Sequence, residues 1–113
     1  MRVYFEQAKT DMIDGLIAGR LMGDPERRQG KGETTFVVAR VRAQTNEGEH
    51  LMVNLITFDD APCAALLGLR DGDSLAAAGH LNPKVWTDKQ GNTKPALDLV
   101  AHRVMPAAQE IRL

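Results

Sequence analysis

The first half of the chain alternates apolar runs with short polar breaks, at lengths typical of β-strands. Residues 12–22 are largely apolar and contain two glycines, which predicts a strand with a bulge or a close backbone approach. Residues 34–43 are β-branched and apolar and predict a second strand. Residues 51–58 form a nearly continuous apolar run, which indicates a third strand covered on both faces. The polar stretches 27–33 and 44–50 are expected to be connections between these strands.

The hydrophobic period changes after residue 58. Residues 59–69 place apolar side chains at helical spacing after two aspartates, either of which can cap a helix. Two more strands are expected at 74–81 and 95–105, with a turn over 86–94 between them. The order β-β-β-α-β-β predicts an all-β fold, a five-stranded OB-fold barrel with one helix between strands 3 and 4.

Length and composition fit a single globular domain. The chain has 113 residues, of which 43% are hydrophobic and 26% charged, which is ordinary for a folded protein. We expect the domain to span 12–105, with an N-terminal arm over 1–11 and a short tail over 106–113. There is no apolar run of about 18 residues, so no membrane span or membrane partner is expected. The N-terminus lacks the apolar stretch of a secretory signal, and the single cysteine fits a reducing cytoplasm.

Charge is separated along the chain although the net charge is only −1. Residues 20–45 carry six basic and three acidic side chains, and residues 80–105 carry four basic and two acidic ones. Residues 46–79 reverse the balance, with six acidic side chains and one basic. The overall charge gives no support for nucleic-acid binding, so such a function depends on where the basic segments lie.

The basic segments contain the loops that flank the binding face of an OB-fold. Such folds bind oligonucleotides through strands 2 and 3 and the loops joining strands 1–2 and 4–5. Arg40 and Arg42 are two residues apart, which places both on one side of strand 2. The only tryptophan, Trp86, lies in a segment with lysines at 84, 89 and 94, which offers cations to phosphates and a flat ring to bases. A lysine-rich soluble turn and a core tryptophan are the alternative interpretation of the same residues.

Several motifs resemble those of the bacterial single-stranded DNA-binding protein family. Residues 17–28, IAGRLMGDPERR, are similar to the family's opening Leu-x-Gly-x-Leu-x-x-Asp-Pro-Glu-x-Arg. Phe58 precedes the predicted helix, as the family's third strand ends in Phe before its helix. Residues 78–81, AGHL, and residues 86–91, WTDKQG, resemble two later elements of the family in the same order. The resemblance covers about residues 12–105.

The resemblance implies an OB-fold that binds single-stranded DNA without sequence preference and forms a homodimer or homotetramer. By position, Phe58 and Trp86 match the family's stacking aromatics, whereas Gln44 and Met52 occupy two positions where the family has other aromatics. Asn54 stands where the family often has a basic residue. We therefore expect weaker binding, because each lost stack costs about 1–3 kcal/mol.

The expected nucleic-acid-binding residues combine cations, stacking rings and polar neighbours on the same strand faces. They are Arg20, Arg40, Arg42, Met52, Asn54, Phe58, His80, Lys84, Trp86, Lys89 and Lys94. Arg27, Arg28 and Lys31 are weaker candidates. Family members commonly end in an acidic tip that recruits partner enzymes, whereas this chain ends in EIRL, so no recruitment through an acidic tail is expected. The resemblance also implies a bacterial, cytoplasmic and nucleoid-associated protein.

Catalytic and metal chemistry have little support in the sequence. The three histidines and Cys63 lack ligand spacing, so no metal and no cofactor are expected. The carboxylates at 59–60 and at 71 and 73 are better explained by a helix cap and a turn than by acid–base catalysis. We expect no enzyme. The alternative function is an interaction module, or a primosome-type accessory protein with weak or no DNA binding.

Overall fold

The computed structural model describes residues 12–107, in which six strands and one helix follow in a simple order. Their bounds are β1 Ile13–Leu21, β2 Glu26–Gln29, β3 Thr35–Gln44, β4 His50–Thr57, α1 Asp60–Leu67, β5 Ser74–Thr87 and β6 Thr93–Pro106. The expected arm over 1–11 and the tail beyond residue 107 lie outside the described residues. The described part contains no helix of the length and apolarity needed to cross a bilayer.

Five of the strands close into a barrel. Hydrogen-bonded neighbours run β1-β5-β6-β4-β3, and β3 pairs with β1 again to close the ring. All strand pairs are antiparallel except β4 and β6, which run parallel. The chain between these two strands contains α1 and β5. The closing contact between β1 and β3 consists of two pairs, Arg20 with Arg42 and Leu21 with Val41. This is the expected five-stranded OB-fold with its helix between the third and fourth barrel strands.

The barrel interior is filled by the alternate residues of each strand. In β3, for example, Val37, Ala39 and Val41 are buried while Arg40 and Arg42 are exposed. The helix adds Leu66 to this core and packs against β6 and β3. The largest fully buried side chains are Leu21, Leu55, Leu66, Leu99, Val37, Val41, Val53 and Thr57. The hydroxyl of Thr57 donates to the carbonyl oxygen of Ala101 at 2.9 Å, so the buried polar group is satisfied.

Two expected connections are shorter than the sequence pattern indicated. Residues 27–33 were expected to be a loop, but residues 27–29 form β2 together with Glu26, and β2 pairs with β3. All four side chains of β2 are exposed, so no hydrophobic pattern marks the strand. The expected turn over 86–94 contracts to 88–92, because β5 and β6 continue as a paired ribbon to Thr87 and Thr93. The strand passes through Pro83, which is tolerated on such an exposed ribbon.

Glycines allow two close backbone approaches in the barrel wall. A Cβ at Gly19 would collide with the backbone carbonyl of Arg42, which confirms the close approach expected in the first strand. The bulge lies elsewhere, between Ala78 and Gly79 on β5. A Cβ at Gly79 would collide with the backbone carbonyl of Val100 on β6. Both sites therefore need a residue without a side chain.

Several acidic side chains hold the loops in place through hydrogen bonds to backbone N–H groups. Asp24 accepts from the backbone N–H of Asp71 at 2.8 Å, and Asp71 accepts from that of Gly23 at 2.7 Å, so the two turns hold each other. Asp73 accepts from the N–H of Arg70, which confirms the turn expected there. Asp59 occupies the N-cap position of α1, as expected, but its side chain makes no hydrogen bond to the backbone N–H groups of the first turn.

Candidate nucleic-acid interface

The outward-facing residues of four adjacent strands form one continuous face. The strands β3, β4, β6 and β5 lie side by side, and the pairing registers align their outward side chains into rows across the sheet. Above part of this face lies an open groove of about 1010 Å³, bordered on one side by the start of β1 and on the other by residues 22–28. The face consists of three rows of side chains, called basic, polar and apolar after their chemistry.

The basic row consists of Arg42, Met52, Ala96 and Lys84. It has an exposed cation at each end, and the half-buried thioether of Met52 lies next to Arg42. Arg20 on β1 extends the row, since it pairs with Arg42 across the barrel closure. The two arginines, with His50, line a second groove of about 720 Å³, which is separate from the larger one. The row therefore supplies positive charge along one border of the face.

The polar row consists of Arg40, Asn54, Asp98 and Asn82, which all line the larger groove. Asp98 lies at its centre. One of its oxygens accepts from Asn54 Nδ2 at 3.2 Å, and the other is 2.7 Å from Lys84 Nζ of the basic row. An acidic residue thus holds one of the expected phosphate-binding lysines in the middle of the candidate interface.

The apolar row consists of Val38, Ile56, Val100 and His80, all half-buried. The His80 ring meets that of His102 edge-on, with centroids 4.9 Å apart. Its Nδ1 is buried without a hydrogen-bond partner among the described residues and lies 3.7 Å from a carboxylate oxygen of Asp14. His80 therefore closes one end of the groove floor.

Two phenylalanines continue the face beyond the apolar row. Phe58 is 49% exposed, and its ring centroid lies 5.6 Å from that of Phe36 in a tilted arrangement. Phe36 lies on β3 two positions from Val38, so both face outward. Arg28, its neighbour on β2, is paired with Glu26 at 2.9 Å and is partly neutralised there. The aromatic pair offers an exposed stacking surface next to the groove.

The β5–β6 ribbon carries a second stacking surface at the other end of the face. Trp86 is 45% exposed and shares its side of β5 with Lys84. Lys94, its cross-strand partner, places its ammonium 5.9 Å from the indole centroid, within cation–π range. Lys89 lies in the exposed turn at the tip of the ribbon. The indole therefore lies outside the core, and one of its neighbours is the Lys94 ammonium.

Asp88 fixes the turn of this ribbon. Its carboxylate accepts from the backbone N–H groups of Asn92, at 2.8 Å, and Gln90, at 2.9 Å, and its own N–H donates to the carbonyl of Asn92. The hydrogen bond from the Asn92 backbone is the main cause that lowers the pKa of Asp88. Gly91 adopts a φ of 87°, as the turn requires. The turn therefore holds the two strands in the register that pairs Trp86 with Lys94.

The structure brings together most of the expected site residues and separates others. Arg40, Asn54 and His80 line the larger groove, whereas Arg20 and Arg42 line the second one. Lys84 borders the face through its contact with Asp98. Met52, Phe58, Trp86 and Lys94 extend the same outward side, and Lys89 stands apart at the ribbon tip.

Sequence reasoning missed Phe36 and Asp98. Phe36 lies an even number of residues from Arg40 and Arg42 on the same strand. The two-residue period of a strand could therefore have placed it on the outward face. Asp98 carries the charge opposite to that expected of a phosphate-binding surface, so no compositional signal pointed to it.

The remaining reactive groups do not form a metal centre among residues 12–107, where no three His, Cys, Asp or Glu side chains gather to bind an ion. Cys63 is half-buried on α1, and its thiol donates to the carbonyl of Thr57 at 3.4 Å. Burial, assisted by the nearby Asp60 carboxylate, raises the pKa of the Cys63 thiol. The raised pKa disfavours the thiolate, which is the nucleophilic form of the side chain.

Two solved structures share this fold at low sequence identity. The crystal structure of a small single-stranded DNA-binding protein from Streptomyces coelicolor has a TM-score of 0.67 and 15% identity, covering 85% of this chain and 94% of that one. The mitochondrial single-stranded DNA-binding protein Rim1 from S. cerevisiae has a TM-score of 0.65 and 16% identity, covering 88% and 99%. No protein-family model and no curated protein sequence matches the chain. The likeness confirms the expected fold.

Proposed function

We propose that this protein binds single-stranded DNA without strict sequence dependence, as a binding protein rather than an enzyme. The observation that carries the proposal is the single outward face, on which exposed cations border an open groove and exposed aromatic rings lie at the two ends of the face. Phosphates would lie along the basic row, with bases on its groove side reaching towards Phe58 and bases on its other side stacking on Trp86. The two solved structures with the same fold, described as single-stranded DNA-binding proteins, support this proposal.

The balance of charge on the face favours moderate affinity. In the larger groove, Arg28 and Arg40 face three acidic residues, Asp24, Glu26 and Asp98. Arg28 is paired with Glu26, and Lys84, at the groove's border, is paired with Asp98. A phosphate must compete with these carboxylates for its cations. The net attraction should therefore come mainly from Arg20 and Arg42 and from the lysines of the ribbon.

The test is a titration of labelled single-stranded oligonucleotide followed by anisotropy over a range of salt concentrations, with duplex of the same sequence as control. Affinity should fall with salt at a slope of about −0.7 per phosphate neutralised, or about −2 for three cations such as Arg20, Arg42 and Lys94. Single strands should bind in preference to duplex, because only unpaired bases can stack on exposed rings. Absence of binding, or binding without any salt dependence, would contradict the proposal.

We also propose that two copies associate through β1. Within residues 12–107, β1 pairs along one edge with β5, while the other edge pairs with β3 only at Arg20 and Leu21. Three apolar side chains on and next to this strand are about half exposed: Met12 at 49%, Ile13 at 54% and Leu16 at 59%. An unpaired edge beside exposed apolar residues favours strand-to-strand association.

Sedimentation equilibrium tests this association. The protein should sediment as a homodimer or homotetramer, and Leu16→Glu should shift it towards monomer. Val85→Glu is the matched control, because Val85 is 70% exposed but lies on the distant ribbon. A monomeric wild-type protein, or equal effects of the two variants, would count against β1 as the interface.

An interaction module is the second candidate function, and the pairing of Lys84 with Asp98 favours it. In that case the ion pair would be a fixed part of a protein-binding surface, and the salt titration would show no DNA binding. A role in replication, recombination or repair in the bacterial nucleoid belongs to the DNA-binding proposal and stands or falls with it.

A further inference from the structure

The centre of the polar row presents two hydrogen-bond acceptors, the Asp98 carboxylate and the Asn54 amide oxygen, beside the remaining N–H of Asn54. The Asp98 carboxylate can only accept, so the amide nitrogen of Asn54 must face it. The amide oxygen of Asn54 is then turned away from Asp98 and is a second acceptor on the same row. A surface that only had to attract phosphates would place donors or cations here.

Asp98 retains capacity for another partner. Its side chain is 31% exposed and lines the groove. Each carboxylate oxygen can accept two hydrogen bonds, and the contacts to Asn54 and Lys84 use one on each oxygen. The Lys84 ammonium also offsets the negative charge, so a neighbouring polyanion is tolerated near this group. The carboxylate is therefore held in place, partly neutralised and open to a donor from the groove.

The position of the polar row determines which part of a nucleotide meets it. The row lies between the basic row, where phosphates would bind, and the apolar row, over which bases would lie. A base reaching from one to the other passes its polar edge over Asp98 and Asn54. Cytosine and adenine carry an exocyclic amino group that donates, whereas thymine presents carbonyl oxygens on both sides of its single N–H.

We propose that Asp98 and Asn54 form a base-reading site that favours bases with an exocyclic amino group, cytosine foremost, over thymine. This inference rests on the proposed function and adds a base preference to otherwise sequence-tolerant binding. A carboxylate accepting from the cytosine amino group is a known mode of base recognition. The site would disfavour thymine because its one N–H is flanked by two carbonyl oxygens, which would face the acceptors when that N–H donates to Asp98.

The test compares homopolymers of about eight nucleotides of deoxycytidine, thymidine and deoxyuridine at mildly alkaline pH. Deoxyuridine lacks the methyl group of thymine, so it isolates the effect of the amino group. The deoxycytidine strand should bind about five- to tenfold more tightly than the other two. In Asp98→Asn the side chain can also donate, so the preference should fall to about twofold or less. Asp60→Asn on α1, with the same change of charge, should keep the wild-type preference.

Two results would overturn the inference while leaving the proposed function intact. One is equal affinity of the wild-type protein for all three strands. The other is an equal gain in affinity for every strand in Asp98→Asn, which would make Asp98 a phosphate-repelling group only. A deoxycytidine strand with dimethylated amino groups, which cannot donate, should bind the wild-type protein as weakly as thymidine. This last measurement needs no variant and therefore does not depend on folding of Asp98→Asn. Absence of binding to every strand would overturn the proposed function and this inference with it.

Discussion

Removal of the Trp86 ring should weaken single-strand binding without unfolding the protein. The indole is 45% exposed, so about half of it is available to a base. Stacking is worth about 1–3 kcal/mol per base, and partial exposure favours the lower part of that range, about 1–2 kcal/mol. Trp86→Ala should therefore raise Kd about 5- to 30-fold. The lost contact with Lys94 costs about 1 kcal/mol of folding stability at most, because the pair is exposed.

The strand itself supplies a matched control. Val85 is adjacent, apolar and 70% exposed, but its side chain points to the opposite side of β5. Val85→Ala should leave Kd unchanged, and Trp86→Phe should retain much of the wild-type affinity. Anisotropy of a labelled single strand gives Kd, and quenching of the wild-type tryptophan fluorescence shows whether the ring meets the bases. Equal weakening by Val85→Ala and Trp86→Ala, or unchanged Kd in Trp86→Ala, would refute the stacking argument.

Three further outcomes follow from the barrel and its ribbon. Gly79→Ala should lower the free energy of unfolding, measured in urea, by at least about 2 kcal/mol, because the new Cβ would meet backbone atoms. Gly68→Ala is the control and should be nearly neutral, since its Cβ would make ordinary contacts and its φ is −81°. Similar urea midpoints for the two variants would contradict the packing argument. Arg42→Ala should reduce the salt slope of DNA binding by about 0.7, and an unchanged slope would remove this residue from the phosphate track. The backbone N–H of Asn92 lowers the pKa of Asp88, so this hydrogen bond should stabilise the folded protein fully above the ordinary aspartate pKa. The stabilisation should be lost as pH falls through the lowered pKa. An NMR titration of the Asn92 amide with an ordinary or raised midpoint would disprove this.

Sequence patterns predicted those strands that have one buried face. The alternation of Val37, Ala39 and Val41 with exposed residues is readable without a structure, and it placed Arg40 and Arg42 on the outside correctly. The strand β2 and the outer part of the β5–β6 ribbon have no buried face, so no periodicity marks them. Backbone pairing with a neighbour makes them strands, and that pairing cannot be read from one segment alone.

The candidate site was predictable in its cations and rings but not in its arrangement. The resemblance to single-stranded DNA-binding proteins led to Phe58 and Trp86, and both are exposed on the same side of the barrel wall. The parallel register of β4 with β6 brings Asp98 beside Asn54, 44 positions away in the chain. No local pattern encodes such a contact. The rows across the sheet therefore appear only when the strand order and register are known.

The short closing contact of the barrel has a consequence for motion. The ladder between β1 and β3 has two residue pairs, extended by one hydrogen bond from the Met22 amide, and one of the pairs places Arg20 directly opposite Arg42, where like charges repel. We expect amide hydrogen exchange to be fastest there among the barrel junctions, because transient opening breaks the fewest contacts. A phosphate lying between the two guanidinium groups would replace repulsion with attraction and hold the junction closed. Bound DNA would then slow exchange at the Met22 amide, which donates across the junction to Arg40, and would raise the melting temperature of the whole barrel.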